Sequence, residues 1–180
     1  MITSLTMKPR MPDQQASLNI LCHSNIPRRS EGLRIVDDGP LYGARLVAMR
    51  RFLRGDLILR LRGRPAVPSF RSIQVGVSSH IEGYPFSFLN HSCRPTAIVL
   101  TQQLEVRAWQ ELKIGQEVTF FYPSTEWEMV RPFVCLCRAP GCIRYVAGAK
   151  YLSPHLLGHY FINPHVRTLA AAALAQVAAN

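Results

Sequence analysis

Along most of the chain the hydrophobic positions come in short runs, set apart by glycine, proline or charged turns. From Leu33, "LRIV" is followed by the turn "DDGP", then "ARLVAM", a basic link ending in Gly55-Asp56, and "LILRLRG". "SIQVGV", "TAIVLTQQ", "LEVRAW" and "EVTFFY" continue the series, with Gly115 turning the chain ahead of the last. Leucine-rich and β-branched runs of this length between turn residues predict strands. The pattern changes near the C-terminus. Ser153-Pro154 and Asn163-Pro164 each set an N-cap residue before a proline at the first helical position. These predict a short helix over about 154–160, burying Leu157 and Phe161. A longer alanine-rich helix over about 164–177 would bury Val166, Leu169 and Leu174. Residues 1–30 are polar and irregular and read as a loose arm, with "LNILC" a short strand. The chain is expected to be mainly β with helices at its end.

Length and charge narrow the class. At 180 residues the chain suits one domain with appendages, large enough to bury a core. No apolar run is long enough to cross a bilayer, and the N-terminus lacks a hydrophobic signal core, so an intracellular protein is expected, cytoplasmic or, in a eukaryote, nuclear. The formal charge of +10 comes almost wholly from arginine. The arginines between Arg28 and Arg64 form either a patch for an acidic partner or an ordinary solvated surface. Their scatter through a strand-like pattern favours the second.

The cysteines carry more chemistry. An odd count of five without an export signal argues against a disulfide framework. Cys135, Cys137 and Cys142 form "CLCRAPGC", three thiols at C-x-C-x4-C spacing. Structural zinc takes four ligands, so a fourth is expected from Cys93, Cys22 or a histidine. Cys93 closes a second unusual stretch, "SFLNHSCRPTAIV", in which Asn90, His91, Ser92 and Cys93 follow one another between apolar segments.

Taken in order, "FLNHSCRPT", "VRAWQELKIGQEVTFFY" and "CLCRAPGC" resemble the hallmark motifs of the SET-domain family with its post-SET segment, over roughly residues 32–148. "YGARLVAMRRFLRGDLI" occupies the place of the family's N-terminal glycine segment. The resemblance implies a β-clip-like SET fold of short strands, with the N-H-S-C segment threaded in a knot-like arrangement. Its division would be an N-terminal arm at 1–30, a SET domain at 31–127, a post-SET zinc segment at 128–150 and a helical tail at 151–180.

It further implies S-adenosylmethionine-dependent methyl transfer to an amine, most often a protein lysine, with a small-molecule amine or a degenerate partner-binding module as alternatives. Tyr122 would be catalytic. Gly43, Ala44, Arg45, Phe88, Asn90 and His91 would hold the cofactor. Tyr84, Phe120 and Phe121 would line the substrate channel, and Cys93, Cys135, Cys137 and Cys142 would share one structural zinc. Cys22 would be a plain thiol, while Gly115 and Glu117 would serve as a turn glycine and a strand-initiating acid. The sequence departs from the family pattern at Arg45, Leu61, Ser87, Thr96 and Phe121, which bears on substrate choice and, less, on catalytic strength.

Overall fold

The computed structural model describes residues 32–39 and 43–179; the arm at 1–30, the strand expected at "LNILC" and Cys22 lie outside them. The architecture is a set of small sheets. β1 (Leu33–Asp37) and β2 (Ala44–Ala48) form an antiparallel hairpin that pairs Leu33 with Ala48. β3 (Leu57–Arg60), β8 (Ala97–Leu100) and β9 (Glu105–Ala108) form a three-stranded sheet in the order β3-β9-β8. β4 (Arg64–Ala66), β5 (Ile73–Gln74) and β6 (His80–Glu82) form another, with β6 central.

Alternation explains why these runs become strands. Leu46 and Ala48 of β2, Val99 of β8 and Val106 of β9 are fully buried and meet Phe52, Leu112 and Val118 in the main core. Each such aliphatic or aromatic side chain contributes about 1.5–3 kcal/mol of burial. Gly63 and Gly83 let two backbones cross under Phe86. A Cβ on Gly63 would stand 2.6 Å from the Glu82 carbonyl, and one on Gly83 2.6 Å from that of Arg62.

Two further pairs frame the site. β7 (Asn90–His91) lies parallel to β10 (Thr119–Phe120), with Asn90 opposite Thr119 and His91 opposite Phe120. In the sequence this stretch shows only as a polar run between apolar segments. Two polar residues make no strand on their own, and it is the partner from far along the chain that extends them. β11 (Phe133–Val134) and β12 (Tyr145–Val146) clasp the ends of the cysteine loop.

α1 (Pro154–Leu157) is capped as expected, with the Leu156 N–H donating to the Ser153 hydroxyl at 3.2 Å, but it ends a turn early. α2 (Pro164–Ala178) starts where expected, yet Asn163 does not cap it with its side chain. That side chain is 1% exposed and turned into the core. Its Nδ2 donates to the Val99 and Ser124 carbonyls, and its Oδ1 accepts from the Thr101 N–H and hydroxyl. Val166 is buried with Ile162 and Phe121. Leu157, Phe161 and Leu169 are only partly buried, and Leu174 is 58% exposed, contrary to expectation, because the second half of α2 runs past the domain. No helix among the described residues is long and apolar enough to cross a membrane.

The basic stretch resolves into local pairing. Arg45 pairs with Asp38, Arg51 with Glu111, and Arg60 with Glu105. Arg50 lies over Phe52 and Arg54 over Trp109.

Candidate active site

β7 and β10 bring Asn90, His91 and Phe120 to the wall of one cavity of about 370 Å³, and the 3₁₀ turn Tyr122–Ser124 adds Tyr122. Residues from the β4-β5-β6 region, including Phe70, Ile73 and His80, form the opposite wall. Glu126, Met129, Val130 and Phe133, on the way to the cysteine loop, close it.

Asn90, Tyr122 and His91 are each held in this cavity by specific partners. The Asn90 amide donates to Glu117 Oε1 at 2.9 Å and to the Ala44 carbonyl at 3.3 Å. Glu117 therefore does more than start a strand: it fixes the orientation of Asn90. Tyr122 donates its hydroxyl to the Leu89 carbonyl at 2.8 Å. Burial raises its phenol well above the ordinary tyrosine range, so the hydroxyl keeps its proton at neutral pH.

His91 is fixed at both ring nitrogens. The Tyr122 N–H donates to Nδ1 at 3.2 Å, which leaves Nε2 as the protonated nitrogen, 3.2 Å from Cys93 Sγ. Burial pulls this imidazole down to about 4, so it is neutral at physiological pH. Its ring meets those of Tyr122 and Phe133 edge-on.

Beyond His91 the four thiols converge. Cys93 Sγ lies 3.8 Å from those of Cys135 and Cys142, and Cys137 Sγ lies 3.7 Å from that of Cys142. All four fall within 4.8 Å of one another. A tetrahedral ion with ligands at about 2.3 Å separates its sulfurs by about 3.8 Å, so the cluster fits such an ion in donor type, number and spacing. Gly141 and Arg138 adopt positive φ to wrap the loop round it. The loop covers the cavity through Phe133, two residues before Cys135.

The other expected residues sit as follows. Gly43, Ala44 and Arg45 do not line this cavity. Ala44 reaches it through its carbonyl bond to Asn90, while the Arg45 guanidinium pairs with Asp38 across the hairpin. Phe88 packs against the main core and edge-on to Tyr84. Of the three residues expected along a substrate channel, Phe120 lines the cavity, tilted against Tyr122 with ring centroids 4.8 Å apart. Tyr84 is 40% exposed and stands outside it. Phe121 also falls outside, because successive residues of an extended strand point to opposite faces. Its ring stacks on Tyr160 at 3.7 Å between centroids, in the second core cluster. Thr96 and Ser87, which depart from the family pattern, take structural bonds: Thr96 donates to the Glu117 carbonyl and Ser87 accepts from the Gly83 N–H.

Glu126 was not anticipated from the sequence. It is 9% exposed and lines the cavity, and burial pushes its carboxyl up to about 7. Glu126 is one of two acids in "PSTEWEMV", and neither carries a spacing or partner that would have announced it.

Comparison with known proteins agrees with the fold. Residues 63–123 match the SET domain family model. The curated methyltransferase flvH of Aspergillus flavus is 33% identical over 150 residues, which cover 81% of this chain and 84% of that protein. Among solved structures, KRYPTONITE in complex with mCHG DNA and SAH superposes on 63% of the chain with a TM-score of 0.52 at 17% identity. The chain spans 28% of the length of that protein, and the likeness is one of fold. The chain belongs to the SET-domain methyltransferases.

Proposed function

We propose that this protein is an S-adenosylmethionine-dependent N-methyltransferase whose acceptor is the terminal amine of a lysine-like chain. The observation that carries this reading is the meeting of Asn90, His91, Phe120 and Tyr122 on one cavity beneath a thiol-held loop. S-adenosylmethionine, when bound, supplies a sulfonium methyl group, the N–C bond forming as the C–S bond breaks. Asn90, oriented by Glu117, and the backbone around Gly43, Ala44 and Arg45 hold the cofactor, with His91 and Phe88 beside them.

Tyr122 acts as a positioning hydroxyl rather than a base. With its proton given to the Leu89 carbonyl, its oxygen lone pairs remain to orient the methyl group and the amine. Alignment of this kind accounts for a large share of a displacement's rate. The nucleophile must be neutral, and free lysine titrates near 10.4. Apolar walls from Phe86, Leu89 and Phe120 disfavour the ammonium form and bring that value down.

Cys93, Cys135, Cys137 and Cys142 hold one structural zinc with no open position. In this reading residues 31–127 carry the reaction, 128–150 cover it and 151–180 brace it, and the enzyme works in the cytoplasm or, in a eukaryotic cell, the nucleus. The family's usual acceptor is a protein lysine. A small free amine is the second reading, and it is Glu126 in the same cavity that favours it.

The test is calorimetric titration of the zinc-loaded protein with S-adenosylhomocysteine, Asn90→Ala serving as control. Micromolar binding lost in the control supports the cofactor site. Absence of binding to folded, metal-replete protein refutes the enzyme reading and leaves a partner-binding module.

A further inference from the structure

Transfer of a methyl group to a simple amine leaves one group in the cavity without a task. Glu126 Oε1 is fully engaged, accepting from the Gln74 N–H at 2.8 Å and the Thr125 hydroxyl at 3.1 Å. Oε2 has no hydrogen-bond partner among the described residues. Its nearest titratable neighbour is His80, with Nδ1 4.0 Å away. Burial lowers His80, which keeps that ring neutral, and Nδ1 lies 3.4 Å from the Ser72 hydroxyl. No described lysine or arginine pairs with Glu126. The cavity's other carboxylate, Glu128, is already tied to Lys150 and Tyr151. A carboxylate largely withdrawn from water is stabilised by a cation or by further donors, and Oε2, open to the cavity, has neither among the described residues.

Two arginines stand at the rim of the same cavity. Arg71 and Arg131 lie over the exposed ring of Phe70, at 5.3 and 5.5 Å from its centroid, and neither pairs with an acid among the described residues. The entrance is therefore basic and the floor acidic.

We infer that Glu126 receives an ammonium group of the acceptor other than the amine that is methylated, so that the acceptor is a small free molecule with two amines, a diamine or a dibasic amino acid. The inference rests on the methyltransferase reading above. The Glu126 N–H donates to the Tyr122 carbonyl at 2.9 Å, so carboxylate and phenol belong to one turn, and both amines must lie within one cavity. A lysine inside a polypeptide has its α-nitrogen tied up as an amide and brings no second ammonium to that floor. A lysine- or arginine-rich segment would also be repelled at the rim by Arg71 and Arg131. The carboxylate of a dibasic amino acid would instead be attracted there.

The experiment is titration of zinc-loaded protein, saturated with S-adenosylhomocysteine, with cadaverine, L-lysine, n-pentylamine and a doubly capped lysine peptide. Cadaverine or L-lysine is expected to bind at least tenfold more tightly than n-pentylamine or the peptide. Glu126→Gln, checked for a cooperative melting transition and undiminished S-adenosylhomocysteine binding, is expected to abolish that preference. A lead of L-lysine over cadaverine identifies the amino-acid source and the reverse the diamine source, each in support. Equal binding of n-pentylamine, preference for the peptide, or an undiminished preference in Glu126→Gln overturns the inference. If S-adenosylhomocysteine itself fails to bind, the methyltransferase reading falls and this one with it; if it binds and the amines are not distinguished, only this one falls.

Discussion

Replacing Asn163 by alanine tests how the C-terminal segment is tied to the turn that carries Tyr122. Asn163 is 1% exposed and makes four side-chain hydrogen bonds, all within 3.1 Å. They are not all lost alike. The Ser124 carbonyl keeps the Asn163 backbone N–H at 3.0 Å, and the Thr101 hydroxyl keeps His165 Nδ1 at 3.4 Å. The Thr101 N–H loses its side-chain acceptor, and Val99 loses an N–H donor to its carbonyl. An orphaned buried group costs about 1–3 kcal/mol, and each merely weakened one about 1 kcal/mol or less. The sum is roughly 3 kcal/mol, or about 6–12 °C in melting temperature for a chain of this size. Differential scanning calorimetry of the zinc-loaded protein measures it, with Leu174→Ala as the comparison. That residue is 58% exposed on the free half of α2, so its change should stay within about 0.5 kcal/mol. A shift below about 2 °C for Asn163→Ala would refute the reasoning, since the side chain would then not hold the tail to the core.

Three other outcomes follow from the site. Wild-type protein should carry about one zinc per chain by atomic absorption, and Cys137→Ser should lose it together with the ordered cysteine loop; equal metal content in the two would sink the four-thiol assignment. Tyr122→Phe should lower kcat about a hundredfold while leaving S-adenosylhomocysteine affinity unchanged, because the hydroxyl positions and does not bind; a variant as fast as wild type would contradict this. Glu126 predicts a pH-dependent stability: burial lifts it from 4.5 to about 7, so the folded chain retains a proton that the unfolded chain has released. Its contribution is complete below about pH 4.5 and lost as pH rises through about 7. The stability difference between wild type and Glu126→Gln should therefore fall across that window. His91 and His165, lowered by burial, slope the opposite way in both proteins and cancel in the difference. His80 lies 4.0 Å from Oε2 and is coupled to Glu126, so both proteins carry His80→Gln as well. A flat difference would count against a buried, proton-holding Glu126.

The sequence was most informative where chemistry is local. Three cysteines in "CLCRAPGC" and the run Asn90 to Cys93 stand out by residue type alone, and the structure brings those four thiols together. The strands at "LRIV", "ARLVA", "LILR", "AIVL" and "EVRA" were legible because alternation and turn residues act over a few positions, whereas β4 and β6 carry no such run. Contacts made at long range were not. β7 needs Thr119–Phe120 as its partner, and Phe121 turns away because Tyr160, outside any motif, stacks on it. Asn163 stood at the expected helix boundary, but a boundary does not reveal whether a side chain caps the helix or enters the core. Glu126 was passed over, and Glu117 was read only as a strand-initiating acid, for the same reason: an acid's burial and partner are set by the fold.

The imidazole of His91 has one further consequence. One nitrogen receives the N–H of Tyr122 and the other faces the sulfur of Cys93. A single rigid ring therefore spans the gap between the four-thiol cluster and the turn that carries the phenol. Two binding events that share such a strut are thermodynamically linked, and the linkage is reciprocal. Whatever the metal contributes to cofactor affinity, the cofactor returns to metal affinity by the same factor. In the proposed reading, with zinc on the thiols and S-adenosylmethionine in the cavity, a metal that raises cofactor affinity is itself held more tightly once the cofactor is bound.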